Sequence, residues 1–197
     1  MNKPVFYDTD CLESFLFVGA GHILEELFSK IVIPEQVYNE LTAKSTPPVV
    51  KTNFKNLKKG FVEIREIAFA SQEYTTYKLI EKGFWSQTGK VCGPGESAAM
   101  ALAHLNDGIV ASNNLSDVEE YIESLDIELI TGSMILAKAV ERDIVSEDDA
   151  NGIWKGMVKA GIELPRDSFS EYNEELYEID CERFLKAEWE TEEPTAN

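Results

Sequence analysis

Short apolar runs alternate with longer amphipathic stretches along most of this chain. The apolar runs occupy residues 5–7, 31–33, 109–111 and 127–130, and residues 62–67 alternate apolar and charged side chains. Such runs are typical of strands, whereas the stretches between them repeat apolar residues every three or four positions, as amphipathic helices do. We therefore expect an α/β fold: a three-layer sandwich around a mostly parallel sheet of four or five strands.

Signals that begin helices follow the predicted strands. A carboxylate at Asp8 or Asp10 can cap the first helix, and Pro34 opens a helix after the second strand. The turn Gly93-Pro94-Gly95 begins an alanine-rich helix and places Glu96 in its first turn, where the helix dipole favours an acid. The strand ends and the helix starts are therefore rich in acidic side chains.

The domain organisation follows from where these patterns change. Residues 1–145 carry the alternation of strands and helices and are predicted to form one domain, with a helical insertion at about residues 68–90. Ser146 and Asp149 have the spacing of a capping box. We expect this box to begin a helical extension that, with an acidic tail, occupies residues 146–197.

The last part of the chain is strongly acidic. Beyond Glu171, apolar residues from Tyr172 to Phe184 are spaced like one face of a single helix, and Trp189 follows in a polar end. Three interpretations stay open for this region. It is a solvated terminal helix and tail, a segment that docks a basic partner, or a flap over a basic surface of the protein itself.

Composition narrows the class of protein. The chain has 197 residues, 44% of them hydrophobic, which is enough to bury a proper core. No apolar run is long enough to cross a bilayer, and the N-terminus lacks the pattern of a secretory leader. Cys11, Cys92 and Cys181 are widely scattered, and the two histidines argue against a zinc site. We expect a cytoplasmic protein that does not associate with membranes.

A net charge of −18 argues against broad, non-specific affinity for nucleic acid, but it leaves room for a local site. Residues 41–62 contain no acid at all and hold a group that we call the lysine stripe: Lys51, Lys55, Lys58 and Lys59. Helical spacing makes the lysine stripe either an ordinary solvated helix face or a surface that meets the phosphate backbone of RNA.

Four acidic residues lie where a parallel sheet would gather them. Asp8 ends the first strand, Glu40 lies in the helix after the second strand, Glu96 opens the alanine-rich helix, and Asp117 begins the helix after residues 112–114. Singly, each acid can be a helix cap or a surface residue. Together they would repel one another unless a cation lay among them, and Mg²⁺ or Mn²⁺ suits carboxylate oxygens. The set therefore predicts a metal site.

Three stretches carry a resemblance to a known family, and they occur in this order: Val5-Phe6-Tyr7-Asp8; Ile33-Pro34-x-x-Val37-x-x-Glu40-Leu41; Gly95-Glu96-x-Ala98-Ala99-x-Ala101-Leu102-Ala103. This order resembles the PIN-domain family over about residues 4–145. Many members are Mg²⁺- or Mn²⁺-dependent ribonucleases, among them toxins of bacterial toxin–antitoxin pairs. The resemblance implies that Asp8, Glu40 and Glu96 occupy three of the family's acidic positions.

The fourth acidic position departs from the family pattern. The family usually has Thr or Ser, any residue and then Asp at this strand end, whereas this chain has Ser112-Asn113-Asn114. An amide oxygen can bind a hard cation but brings no charge, and Asp117, one helical turn further on, could restore it. The chain is therefore either an active nuclease with a shifted ligand or a PIN fold with weakened or lost catalysis.

The expected function is metal-dependent hydrolysis of RNA. The predicted catalytic residues are Asp8, Glu40, Glu96, Asn114 and Asp117. Of these, Asp8, Glu96, Asp117 and Asn114 would bind Mg²⁺ or Mn²⁺, and Glu40 would position water or a second ion. The alternative is a weakened or inactive module that binds RNA or a protein partner. A further candidate is a toxin whose main contact is an antitoxin or another basic protein, and a homodimer is compatible with the sequence as well.

Overall fold

The computed structural model describes residues 3–187. Within this range, five strands form a single sheet: β1 (Val5–Tyr7), β2 (Ile31–Pro34), β3 (Val62–Arg65), β4 (Ile109–Ala111) and β5 (Glu128–Ile130). The strand order is β3-β2-β1-β4-β5, and every neighbouring pair is parallel. Phe6 on β1 is paired with Val32 on β2 and with Val110 on β4. The predicted parallel sheet is confirmed.

Helices cover both faces of the sheet. The described residues contain eleven of them: α1 (Thr9–Phe17), α2 (Gly21–Leu27), α3 (Glu35–Thr42), α4 (Pro48–Asn56), α5 (Gln72–Glu81), α6 (Pro94–Leu105), α7 (Leu115–Leu125), α8 (Gly132–Glu141), α9 (Glu147–Lys159), α10 (Phe169–Glu175) and α11 (Tyr177–Phe184). On one side α1 packs on α4, α8 and α9, while on the other α6 packs on α5 and α7 and contacts β1, β2 and β4. The three-layer sandwich is therefore confirmed.

The strand order reverses direction between β1 and β4. The chain moves outward from β1 to β2 and β3, then returns to β4 and continues to β5 on the other side. Parallel sheets of this kind bind ligands in the crevice beyond the carboxyl ends of the strands where the order reverses. That crevice lies beside Asp8 and the loop 112–114.

Helix α6 owes its position to small side chains and a strong start. Gly93 is the N-cap, Pro94 follows at the first helical position, and Glu96 accepts a hydrogen bond from the Gly93 backbone N–H. The four alanines of the helix are fully buried or nearly so, which lets its backbone approach the sheet closely. Glu96 is therefore fixed at the carboxyl edge of the sheet.

Two predicted elements differ from the structure. Helix α4 ends at Asn56, so Lys58 and Lys59 lie in the turn beyond it, where Gly60 has a positive φ of 84°. The single terminal helix is in fact two helices, α10 and α11, which meet at Leu176. Trp189 and the acidic tail lie outside the described residues.

The C-terminal helices pack against α8, and their buried side chains join the same hydrophobic core as the sheet. The capping box of Ser146 and Asp149 begins α9 as predicted. Trp154 on α9 is fully buried and packs against Phe169 and Tyr172 on α10. Helix α11 reaches α8 and β5. Within residues 3–187, none of the helices combines the length and the apolar character that a membrane crossing requires.

Candidate metal centre

The pairing of β1 with β4 brings the two central polar segments together. Tyr7 is in register with Ala111, and the backbone N–H of Asp8 donates to the Ala111 carbonyl at 3.0 Å. Asp8 therefore lies beside the loop that contains Ser112 and Asn114. The register of the sheet, rather than any loop contact, sets this arrangement.

Asp8 is a buried carboxyl with one unused oxygen. It is the N-cap of α1, and its Oδ1 accepts a hydrogen bond from the Cys11 N–H at 2.8 Å. Its Oδ2 is buried and has no hydrogen-bond partner among residues 3–187. Burial raises the pKa of Asp8 to about 8; Ser112 and the Cys11 amide oppose this rise, and Glu96 adds to it. A buried oxygen of this kind is where a cation would gain most.

Glu96 is held at both oxygens. Its Oε2 accepts from the Gly93 N–H at 2.9 Å, and its Oε1 accepts from the Asn114 side-chain nitrogen at 2.9 Å. Desolvation raises the pKa of Glu96 and exceeds the lowering by these two hydrogen bonds, while the charge of Asp117 also raises it. Ionising Glu96 therefore costs free energy in the folded protein, and a nearby cation would lower that cost.

Asn114 links two carboxylates. Its Nδ2 donates to Glu96 and also to Asp117 Oδ2 at 2.8 Å, and its Oδ1 accepts from the Ser116 hydroxyl at 2.9 Å. The orientation of the amide follows from its partners, because ionised carboxylates only accept hydrogen bonds. Asn114 thus presents nitrogen rather than oxygen to the acidic residues.

Asp117 is paired with a lysine that we did not predict as a member of this site. Lys90 Nζ lies 2.7 Å from Asp117 Oδ1 and also donates to the Ser116 carbonyl. The hydrogen bond from Lys90 lowers the pKa of Asp117. Lys90 comes from the loop between α5 and α6. The periodicity of helices and strands does not predict the path of this loop.

Glu40 joins the group through Thr9. The Thr9 hydroxyl donates a short hydrogen bond to Glu40 Oε2. The same oxygen lies over the backbone of Gly95, where a Cβ would come within 2.9 Å of it. Glycine at position 95 therefore lets Glu40 sit against the start of α6, next to Glu96.

Asp10 is a second residue that sequence reasoning missed as a site residue, since we considered it only as a helix cap. It is exposed, but desolvation by the surrounding walls and the charge of Asp117 raise its pKa. Its own charge contributes to raising the pKa of Asp8 and of Glu96. The signal available was the spacing of Asp8 and Asp10, two acids directly after a strand.

A cleft of about 480 Å³ meets this group of residues at Asp10 and Asn114. Its walls come from α1, from the loop after β4 and from the turn that follows α9, and the residues that line it are Asp10, Glu13, Ser14, Phe17, Pro47, Asn113, Asn114, Ala160, Gly161, Ile162 and Glu163. The C-terminal extension therefore supplies one wall of the cleft. Three of the lining side chains are acidic and none is basic, so a polyanion would need a cation to enter it.

The lysine stripe begins near this cleft, because Pro47 lines the cleft and precedes α4 directly. Lys51 Nζ donates to the Ala43 carbonyl at 3.0 Å, and Lys58 lies 3.9 Å from Glu26. Lys55 and Lys59 make no ion pair within the described range. Among the predicted residues, Asn114 links Glu96 with Asp117, and Asp8 lies close enough to Glu96 to feel its charge, whereas Glu40 contacts Thr9 and the start of α6. The lysine stripe is a separate surface.

The chemistry of the donor set suits a hard divalent cation. Asp8 keeps a buried oxygen that makes no hydrogen bond in the described chain, the charges of Asp10 and Glu96 act on its carboxyl group, and the charge of Asp117 acts in turn on Glu96. In residues 3–187, no three His, Cys, Asp or Glu side chains already stand together as a ready-made metal cage. Asn114 and Lys90 occupy the contacts of Asp117 instead.

Comparison with known proteins adds one match. The family model of DUF3368, described as a PIN domain, matches residues 4–178. The match covers the sheet, all the acids described above and most of the C-terminal helices. No curated protein matches the chain.

Proposed function

The chain belongs to the PIN-domain family, and on that premise we propose that it is a metal-dependent nuclease that hydrolyses phosphodiester bonds of RNA. The observation that carries the proposal is the buried Oδ2 of Asp8, at the point where the strand order reverses: it makes no hydrogen bond within residues 3–187, and the Ser112 hydroxyl is the neighbouring side chain that favours its charged form. A buried carboxylate oxygen without a partner is costly unless a cation binds it.

The residues divide into two groups by position. Asp8 and Glu96 would hold Mg²⁺ or Mn²⁺, with Asp117 as a third carboxylate. Asn114 was expected to bind the cation through its amide oxygen, but its Nδ2 faces both acids, so it could do so only after the amide turned. When bound, such a cation stabilises the negative charge that develops on a phosphate during hydrolysis. Glu40, oriented by the Thr9 hydroxyl, would position a water and receive its proton.

The lysine stripe is the proposed contact for the RNA backbone. Lys55 and Lys59 carry no ion pair in the described part of the chain, and α4 starts at the rim of the cleft. Phosphate contacts from this side would lead a strand toward the acids without reading its sequence. The acidic lining of the cleft then makes RNA binding dependent on the divalent cation.

A second candidate is a PIN fold with weakened catalysis that binds RNA or a protein partner. Two contacts favour it: the Asn114 amide nitrogen lies between Glu96 and Asp117, and the Lys90 ammonium lies on Asp117. Both contacts reduce the repulsion that a metal would otherwise have to relieve. Metal affinity separates the two candidates.

We also propose the biological role of a toxin whose partner is an antitoxin or another basic protein, in the cytoplasm. The net charge of −18 supports a basic partner, and the three cysteines are free, as in a reducing compartment. A small basic protein encoded next to this one would be the simplest support. Failure of a co-expressed neighbour to bind the chain would count against this role.

The proposed nuclease is tested with Mn²⁺ and one matched pair of variants. Millimolar Mn²⁺ should raise the melting temperature of the wild type and support cleavage of a single-stranded RNA, and Asp8→Asn should remove both effects while keeping the helix cap. Asp143→Asn is the control, because Asp143 is exposed and its positive φ of 56° suits asparagine. No Mn²⁺ shift in the wild type would rule out its proposed action as a metal-dependent nuclease.

A further inference from the structure

Lys90 is the one basic side chain, within residues 3–187, that forms an ion pair with a carboxylate of the candidate metal centre. Lys90 is not part of the acidic strand ends, and it is not part of the lysine stripe. Its side chain is 33% exposed, so the ammonium can leave Asp117 without unfolding the protein. The contact therefore calls for an explanation beyond packing.

Both oxygens of Asp117 are engaged. Oδ1 contacts Lys90 at 2.7 Å and accepts from the Ser116 hydroxyl at 3.2 Å, and Oδ2 accepts from Asn114 at 2.8 Å. Each carboxylate oxygen has two lone pairs, so Oδ2 can still bind a divalent cation, whereas both lone pairs of Oδ1 are in use. A cation that takes Oδ1, or both oxygens, therefore displaces Lys90 or Ser116. Lys90 ends a flexible four-carbon chain and is the partner that yields, and where it stays in place its charge opposes a cation at Oδ2.

The backbone of Lys90 is fixed even though its side chain is free to move. Its N–H donates to the Ser86 hydroxyl at 2.9 Å, and its carbonyl accepts a hydrogen bond from the buried Tyr121 hydroxyl. The next anchored residue, Cys92, donates through Sγ to the Asp117 carbonyl at 3.2 Å. These bonds keep the ammonium at a high local concentration beside Asp117.

We propose that Lys90 is an internal counter-ion of the metal centre, which neutralises Asp117 in the cation-free protein and competes with Mg²⁺ or Mn²⁺ for that carboxylate. The inference rests on the proposed function, since it concerns the same cation. Its consequence is a centre that binds metal more weakly than its carboxylates alone would. A positive charge beside a divalent cation both repels it and cancels one of the charges that attract it.

The test is the dissociation constant of Mn²⁺, measured by calorimetry at fixed ionic strength. Lys90→Met should tighten binding by about threefold to tenfold, because it removes the competing charge. Lys90→Arg keeps a positive charge and should stay close to the wild type. Lys186→Met is the control: it also removes a charge, but Lys186 pairs with Asp126 near the start of β5, at the opposite edge of the sheet.

Each outcome decides between the proposals. Wild-type binding that is unchanged or weakened in Lys90→Met overturns the inference and leaves the metal centre intact. Binding by Lys90→Met alone supports the inference strongly, and binding by neither protein overturns the metal centre with it. The backbone bonds of Lys90 do not depend on its side chain, and Lys90→Gln, checked by circular dichroism, serves as the second neutral variant.

Discussion

Asp8 has two roles at the scale of the single residue, and each uses a different oxygen. Oδ1 caps α1 through the Cys11 N–H, which fixes the carboxyl group in one orientation. That orientation leaves Oδ2 buried beside the loop after β4. An N-cap thus holds an oxygen in the fixed position that a metal ligand would need, and asparagine can keep the cap while it loses the charge.

The pH dependence of stability should report the burial of Asp8. Its pKa is raised to about 8 in the folded protein, so between about pH 4 and about pH 8 the folded state binds more protons than the unfolded state. Without metal, the free energy of unfolding should therefore fall as the pH rises through this window. The loss assigned to this residue is about 2 to 5 kcal/mol.

Urea unfolding with a chelator, at about pH 5 and about pH 8, measures this effect. The wild type should lose more stability between the two pH values than Asp8→Asn does. Glu96 and Asp10 also have raised pKa values, and most of their contribution remains in both proteins, so the difference reports Asp8 together with its coupling to these two acids. Parallel curves for the two proteins would contradict the raised pKa.

At Asn114 this chain departs from the family pattern, which has an aspartate there. The substitution Asn114→Asp tests what this departure does. The change replaces a donor between Glu96 and Asp117 with a third negative charge. Without metal it should destabilise the fold by about 1 to 3 kcal/mol. With Mn²⁺ it should tighten binding and restore part of the cleavage lost in Asp117→Asn.

Asn113→Asp is the matched control for this substitution. It adds a charge one residue away but keeps the acceptor for the Gly132 N–H, which Asn113 Oδ1 now binds at 2.7 Å. A gain in Mn²⁺ affinity confined to Asn114→Asp identifies ligation rather than general attraction. Equal gains in both variants, or destabilisation without a gain, would argue against a ligand at position 114.

Part of this site could be predicted because the pattern of the elements fixes it. Asp8 and Glu96 stand at the end of a strand and the start of a helix, and a parallel sheet brings such positions to one edge. Lys90 could not be predicted, since it reaches the site from a loop whose path depends on tertiary bonds to Ser86 and Tyr121. Asp10 was not predicted as a site residue, because an acid at this position can equally be an ordinary helix N-cap.

At the scale of elements, the strands and most helices follow from periodicity, and the exceptions have local causes. The backbone leaves the helical region at Leu57, the C-cap of α4, whose ψ is 147°, and this leaves Lys58 and Lys59 beyond the helix. The break at Leu176 lets α10 pack on α9 while α11 packs on α8 and β5. A single straight helix could not make both contacts, and spacing alone does not reveal that.

Helix α4 and the turn after it carry the prediction for RNA. Lys55→Gln with Lys59→Gln should weaken binding of single-stranded RNA equally for different sequences, because phosphate contacts carry no sequence information. The slope of log affinity against log salt should become shallower by about 1.4, since each contact on a single strand contributes about 0.7. Affinity is measured with Mn²⁺ present over a range of salt.

The control is a double variant with the same change of net charge. Lys82 and Lys155 are exposed, lie outside residues 41–62 and form no ion pair within the described chain. Lys82→Gln with Lys155→Gln should leave the salt slope nearly unchanged. A similar loss in both double variants would make the lysine stripe an ordinary solvated face.

At the scale of the whole molecule, the C-terminal helices pack against the rest of the domain and supply one wall of the cleft. The turn 160–163 lines it, α9 packs on α1 and α8, and the family match continues to residue 178. With a net charge of −18, most of the protein surface repels RNA, and the acid-free surface of α4 is the exception. Substrate access and the position of α9 are therefore expected to be linked.

Trp154 tests this link. Its ring is fully buried against Phe169 and Tyr172, and its Nε1 donates to the Arg166 carbonyl at 3.1 Å. Trp154→Ala should cost about 3 to 5 kcal/mol in the free energy of unfolding, in one cooperative transition. Val158→Ala, on the same helix but 49% exposed, should cost far less.

The same variant separates the cleft from the metal centre. Trp154→Ala loosens the wall that the turn after α9 supplies, so RNA affinity should fall, while Mn²⁺ affinity should hold because Asp8 and Glu96 lie on α1 and α6. Both affinities are measured below the melting temperature of the variant. A separate early transition with unchanged RNA affinity would instead make α9–α11 an independent unit with no part in substrate binding.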